Sequence, residues 1–156
     1  MAFFKGRETY SVDDKGRVSI PARMRKCMAP GVETFVLTRG LDDDPCIFAY
    51  PTDEWRSIEE GLKGLNQFNG QERFFLRMML SWADEASLDG QSRIMLPKNL
   101  VEFARIERSA LIVGAMDHIE IWNPEIFDSY LNARAESYEQ VAASVMGART
   151  DGMAKG

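Results

Sequence analysis

One short phrase occurs twice in this chain, and a phrase this specific ties the fold to a duplicated unit. Ser11-Val12-Asp13-Asp14-Lys15-Gly16-Arg17-Val18-Ser19-Ile20-Pro21 returns as Ser87-Leu88-Asp89-Gly90-Gln91-Ser92-Arg93-Ile94-Met95-Leu96-Pro97. Asp, Arg and Pro keep one frame, Asp13 answering to Asp89, Arg17 to Arg93 and Pro21 to Pro97. Hydrophobic positions keep it too: Val12 with Leu88, Val18 with Ile94, Ile20 with Leu96, and then Phe35-Val36-Leu37 with Leu111-Ile112-Val113. From Cys46 to Tyr50 onward the match is to His118 through Trp122, in a shorter frame. The second copy is therefore four residues shorter, and the turn-forming stretch 39–45 is where the deletion is expected.

Each copy reads as strand, turn, strand, helix, strand, turn, strand, helix. In the first, 8–12 extends, 13–16 turns, 17–20 extends, and Pro21 suits the first position of a short helix over 22–28. Pro30-Gly31 stops that helix, and the strand 34–38 pairs with 46–50 across the turn. Thr52 caps the next helix, with Trp55, Ile58, Leu62 and Leu65 at helical spacing. Asn69 with Glu72 resembles a capping pair and opens a helix to about Trp82. Its stripe of Phe74, Phe75, Met78, Met79 and Trp82 suits core or oligomer packing. A last helix opens at Asn123-Pro124-Glu125, with Ile126, Phe127, Tyr130, Leu131, Tyr138, Val141 and Val145 as its apolar side. It is expected to fray at Gly147, leaving a disordered tail.

Several function classes have little to stand on. Residues 1–6 lack the apolar run of a signal peptide and no stretch is apolar enough for a membrane helix, so a cytosolic protein is expected. Cys27 and Cys46 have no paired spacing and His118 is the lone histidine. Neither a disulfide framework nor a zinc site is indicated, and both cysteines are expected as reduced packing residues. His118 lies in an alternating run that reads as a strand, with His118 and Glu120 on its surface face. With no phosphate loop and no nucleophile elbow, the chain is not expected to be an enzyme or to need a cofactor, metal or small-molecule substrate. The run Asp42-Asp43-Asp44 leaves open a weak cation site beside the simpler reading of solvated loop charge.

Charge placement is more telling than the net charge of −5. Residues 1–30 carry Lys5, Arg7, Lys15, Arg17, Arg23, Arg25 and Lys26 against only Glu8, Asp13 and Asp14, so a basic edge sits on an acidic body. The tip Lys15-Gly16-Arg17 puts two long cations at the end of a narrow β-ribbon, a shape that fits a major groove about 12 Å wide. Arg17 is the candidate base contact, Asp13 the group that fixes its direction, and Gly16 the supplier of a positive φ. Arg23, Arg25 and Lys26, on the short helix that follows, are spaced for flanking phosphates. A purely structural turn salt bridge between Asp13 and Arg17 stands beside that reading.

The run Asp13-Asp14-Lys15-Gly16-Arg17-Val18-Ser19-Ile20-Pro21-Ala22-Arg23 resembles the signature of the MraZ family, bacterial regulators with two tandem SpoVT-AbrB-type domains. Phe4-Lys5-Gly6, Leu37-Thr38-Arg39-Gly40-Leu41, Tyr50-Pro51-Thr52-Asp53-Glu54-Trp55, Arg73-Phe74, Val113-Gly114 and Ile121-Trp122 extend the resemblance over about residues 1–136. It implies an α+β fold of two tandem swapped-hairpin β-units forming a pseudo-dimer with flanking helices. The units would be 7–54 and 83–126, with a helical connector at 55–82, a C-terminal helix at 127–146 and a tail at 147–156. It also implies DNA-binding regulation of the division and cell-wall gene cluster through short direct repeats ahead of the protein's own gene. The partners would be double-stranded DNA and further copies of the chain in a ring, with a nucleoid-associated location in the cytoplasm. Carried over residue by residue, the Asp-x-x-x-Arg motif is Asp13 with Arg17 and Asp89 with Arg93, the arginines being the expected DNA contacts.

The copies are not equal. Gln91 and Ser92 replace Lys15 and Gly16, and Gly90 stands one residue early, so the second tip is less basic and is expected to turn differently. Arg17 is accordingly expected to contribute more to DNA affinity than Arg93. A protein-binding scaffold is the rival reading from another class, distinguished by weak, sequence-indifferent affinity for DNA.

Overall fold

A computed structural model of the chain describes residues 2–155, and side chains from 2 to 147. It divides into two compact units, residues 1–124 and 125–156. The first unit holds eight strands: β1 (Arg7–Ser11), β2 (Arg17–Ser19), β3 (Thr34–Leu41), β4 (Asp44–Pro51), β5 (Asp84–Ser87), β6 (Arg93–Met95), β7 (Ser109–Ala115) and β8 (His118–Trp122). Four helices accompany them: α1 (Ala22–Arg25), α2 (Thr52–Lys63), α3 (Gly70–Leu80) and α4 (Lys98–Ala104).

Neither copy pairs its own first two strands. β1 runs antiparallel to β7, β5 to β3, β4 to β8 and β2 to β6, so each of these ladders joins one copy to the other. Only the hairpins β3–β4 and β7–β8 stay within a copy. The result is α+β: an antiparallel sheet in the order β1-β7-β8-β4-β3-β5, and a separate β2–β6 ribbon. Three-residue strands do not hold a ribbon in water. Here the facing pair Val18 and Ile94 is fully buried in the main core with Ile20, Met24, Leu96 and Leu100, each such side chain gaining about 1.5–3 kcal/mol from burial.

The strand registers correct the repeat alignment. Ala86, the counterpart of Tyr10, faces Phe35, whereas Tyr10 faces Ala110. Phe35 therefore answers to Ala110 and not to Leu111, and Leu37 and Ile112 likewise point into the core. One residue is lost before β7 and three more in the following turn. The sequence could not phase these runs because both are apolar at consecutive positions, and a one-residue slip exchanges faces.

The turn between β3 and β4 is also tighter than expected, at Asp42-Asp43, with the strands extending through Gly40 and Pro45. Gly40 lies in a register shift between Arg39 and Leu41, where a Cβ would come within 2.6 Å of the Asp44 carbonyl oxygen, so the glycine makes a bulge rather than a turn. Pro21 and Pro51 are N-cap residues with extended backbone, and neither Pro21 at the first helical position nor Thr52 as a cap is observed. Asn69 does cap α3, its Oδ1 accepting from Gln71 N and Glu72 N at 3.0 Å, while Glu72 Oε1 accepts from Asn66 N at 3.3 Å rather than returning to Asn69. That helix ends at Leu80, short of Trp82.

A second cluster, Val36, Tyr50 and Trp55 with Phe48, Ile58 and Met79, packs apart from the main core. Thr38, a buried polar residue, donates to the Met79 carbonyl at 3.1 Å and ties α3 to β3. Helix α3 nevertheless buries none of its residues, and Phe74 remains 65% exposed.

From Pro124 onward the chain forms α5 (Pro124–Asn132) and α6 (Tyr138–Lys155), where one continuous helix was expected. Ser137 divides them: its Oγ accepts from Gln140 N at 3.1 Å and its N–H donates to Gln140 Oε1 at 2.9 Å, a reciprocal capping box. The backbone is helical past the expected fraying point at Gly147 as far as Lys155, while the side chains of 148–156 and all of Gly156 lie outside the described residues.

Candidate nucleic-acid interface

The two repeated phrases fold into two loops with one hydrogen-bond plan. In the first, Asp13 N donates to Arg17 O at 3.1 Å and Gly16 N to Asp13 O at 3.0 Å, closing the turn. The Asp13 carboxylate then organises it: Oδ1 accepts from Lys15 N at 3.0 Å and Arg17 N at 2.8 Å, and Oδ2 from Arg17 Nε at 2.6 Å. In the second, Asp89 N donates to Arg93 O at 2.9 Å and Ser92 N to Asp89 O at 3.0 Å. Asp89 Oδ1 accepts from Gln91 N at 2.8 Å and Arg93 N at 3.0 Å, and Oδ2 from Arg93 Nε at 3.1 Å. Each bond of one loop has its counterpart in the other. The backbone N–H of the motif arginine, then its side chain and the intervening N–H, hold Asp13 below the usual carboxylate range despite an opposing desolvation effect. Asp89 is lowered by the same set of donors.

The expectation that the second loop turns differently is therefore corrected. Gly16 sits at φ +83°, and Ser92 takes the same place at φ +61°; Gly90 is not among the positive-φ residues. A side chain in this region is strained, and the three bonds to Asp89 hold Ser92 there.

What this clamp does to the arginine is chemically specific. Its own loop's carboxylate takes up only Nε of each arginine, and at Arg17 this leaves the two terminal nitrogens, the pair that forks onto guanine O6 and N7. Both arginines are partly exposed, Arg17 at 31% and Arg93 at 24% of the side chain. The loops also meet, because Arg93 Nη1 lies 3.7 Å from Asp13 Oδ2. They mark the two ends of the β2–β6 ribbon: Leu96 N donates to Gly16 O at 2.9 Å at one end, and Ile20 N to Ser92 O at 3.1 Å at the other.

The remaining sequence candidates separate. Lys15 and Lys26 are exposed. Arg25 is partly buried and its Nε donates to Ile20 O at 3.1 Å, while exposed Arg23 donates from Nη2 to Arg7 O at 3.1 Å. Both keep guanidinium donors in hand while being steadied by the backbone.

Other side chains depart from their sequence reading. Cys46 is buried, which pushes its thiol pKa up, but Cys27 is exposed rather than packed, with Sγ 3.3 Å from Arg23 O. Asp42 pairs with Arg39, whose guanidinium lies 4.3 Å over the Phe103 ring. Among the described residues no cluster of three His, Cys, Asp or Glu could hold a metal ion. His118 is not a surface histidine: it is 15% exposed, stacked on Tyr50 with ring centroids 4.7 Å apart, and bonded through Nδ1 to Asp117 Oδ1 at 2.8 Å. Burial lowers its pKa, yet Glu120 and Asp117 outweigh that and raise it. No helix of the described residues is long and apolar enough to cross a membrane.

The sequence matches the family model described as "MraZ protein, putative antitoxin-like" twice in tandem, over residues 3–78 and 79–148. It is 42% identical over 143 residues to the Transcriptional regulator MraZ of Pelotomaculum thermopropionicum, covering 92% of this chain and 95% of that one. Proteins of the same name from Natranaerobius thermophilus and Desulforamulus reducens are each 40% identical, over 92% of this chain and 96% and 97% of theirs. Two loops built alike, on a chain that carries the family's unit twice and matches its members almost end to end, make this protein a member of the MraZ family.

Proposed function

We propose that this protein is a sequence-specific DNA-binding regulator of transcription, not an enzyme, that reads short direct repeats in the promoter ahead of its own gene within the division and cell-wall cluster. The observation that carries the reading is the clamp: Asp13 and Asp89 each hold Nε of their own arginine, which leaves both terminal nitrogens of Arg17 for a base edge, while Arg93 offers Nη2 and an Nη1 that lies 3.7 Å from Asp13 Oδ2. Arg17 and Arg93 are the base-contacting residues, and Lys15, Arg23, Arg25 and Lys26 serve phosphates. The relatives' name, Transcriptional regulator MraZ, supports the regulatory role.

The ladders that join the copies support a swapped-hairpin pseudo-dimer, with units at 7–54 and 83–126. The protein works as a homo-oligomeric ring in the nucleoid. The apolar surface that α3 leaves exposed at Phe74 and Phe75 supports self-association. In a ring, several loops engage successive repeats and gain affinity from effective concentration rather than from any one contact. Footprinting on DNA upstream of the gene tests the reading. Evenly spaced protected repeats, lost in Arg17→Ala, are expected; uniform, sequence-indifferent affinity would favour a scaffold instead.

A further inference from the structure

Helix α1 of the first copy ends beside the loop of the second. Arg25 Nε is bonded to Ile20 O, and Ile20 N to Ser92 O, so that guanidinium stands one peptide away from the second loop. Arg25 and Lys26 line an open cavity of about 440 Å³ together with Leu88, Asp89 and Ser92. Both Asp89 oxygens are engaged within their own loop, leaving the exposed Glu33 as the remaining carboxylate of the lining.

The first loop has different company. In the frame that sets Arg17 against Arg93, the counterparts of Arg25 and Lys26 are Val101 and Glu102, in the helix that begins just after Leu96 meets Gly16. Lys98 stands there in place of Ala22, and Arg108, one residue out of that frame, answers to Glu33 by its backbone bond: its carbonyl accepts from Val12 N as that of Glu33 accepts from Leu88 N. The cations that share a cavity with the second loop thus come from the first copy, and their counterparts in the second copy are an apolar and an acidic residue. In sequence Arg25 and Lys26 follow Arg17; in space they sit at the Ser92 end of the ribbon, roughly 10 Å along its three-residue length from the Gly16 end.

We propose that Arg25 and Lys26 form, with the Asp89–Arg93 loop, a composite site for a phosphate of duplex DNA, so that the second loop is a complete contact head assembled from both copies. This rests on the DNA-binding reading. It makes Arg93 a stronger contact than its tip sequence, Gln91-Ser92, implies, because the phosphate held by Arg25 and Lys26 docks the backbone beside the base that Arg93 reaches.

A double-mutant cycle on promoter DNA tests it. Lys26→Gln is the informative variant, because Lys26 is exposed whereas Arg25 also braces the Ile20 carbonyl. Lys26→Gln is expected to weaken binding about five- to tenfold and lower the slope of log affinity against log salt by about 1. That loss is expected to persist in full on Arg17→Ala and to shrink below about threefold on Arg93→Ala. Loss on the Arg93→Ala background undiminished, coupling to Arg17 instead, or an unchanged salt slope would overturn the composite site while leaving DNA binding intact. Wild-type protein that protects no promoter DNA would instead overturn the underlying reading, and the composite site with it.

Discussion

The two loops have the same hydrogen bonds and different residues, and the contrast identifies what specifies their shape. Lys15 and Gln91 differ in charge, and Gly16 and Ser92 differ in backbone freedom, yet the turns match bond for bond. What they share is the aspartate and the arginine. The aspartate accepts two backbone N–H bonds and one side-chain bond in each copy, and this set outweighs the cost of placing serine in the left-handed region. Backbone geometry is thus fixed by Asp13 and Asp89, and charge is free to differ between the copies.

The largest effect should come from removing the clamp. Arg17→Ala is expected to weaken promoter binding about 10- to 100-fold, the range of one lost bidentate base contact. Asp13→Ala, which keeps the cation but frees it to rotate, should approach the same loss in a mobility-shift titration. If Asp13→Ala binds as tightly as wild type, the aspartate is a turn residue only. The matched pair Arg93→Ala and Asp89→Ala then shows whether the loops are equal in use as well as in shape.

The next contrast lies under the loops. Ile94→Ala should destabilise by about 2–4 kcal/mol, since a fully buried isoleucine leaves a cavity at the ribbon's centre. Val18→Ala, on the facing strand, removes less volume and should cost less; urea unfolding reports both. Equal or negligible losses would mean that the ribbon is not held by its buried pair.

Acid should separate the loops more gently. Both aspartates have folded pKa values below their unfolded ones, so the stability they add is present above the ordinary carboxylate range, around pH 4, and is lost as pH falls through the folded values. The Nε bond is 2.6 Å in the first loop and 3.1 Å in the second, so the second should open first on acidification. Amide exchange at Arg17 and Arg93 across a pH series reads this directly, and simultaneous opening would show that the longer bond carries no difference in strength.

These contrasts also explain how much of the molecule is legible in its sequence. Asp13, Arg17, Asp89 and Arg93 stand out because few polar residues repeat by chance in one frame, and their repetition by itself marks the loops. Gly16 is legible as a positive φ, but Ser92 is not: a serine enters that region only when other bonds hold it, and those bonds exist only in the folded loop. The register of β7 is hidden by an apolar run without alternation. Partner choice is hidden more deeply. Arg25 and Lys26 follow Arg17 along the chain but stand beside Ser92, because β2 pairs with β6 rather than with β1. Such pairing is decided by which partner buries Val18, a property of the whole core. The break at Ser137, by contrast, is written in the sequence as Ser137-x-x-Gln140, and only the apolar stripe that runs on across it disguises it.

The smallest effect is the cleanest test of whether the loops differ only in strain. Exchanging glycine and serine between them leaves every charge and clamp in place. Gly16→Ser should destabilise by about 1–2 kcal/mol, since it forces a side chain to φ +83° and sets its Cβ 3.3 Å from the Leu96 carbonyl oxygen. Ser92→Gly should do the reverse and less of it, because relief of strain is offset by the greater freedom of glycine in the unfolded chain. A gain of about 0.5–1 kcal/mol, or about 1–4 °C in Tm, is expected. DNA affinity should not move with it, since the Asp89 clamp on Arg93 is untouched. A Ser92→Gly protein that is less stable than wild type would show that the serine side chain makes a contribution beyond its backbone, and the loops would then differ in more than strain and charge.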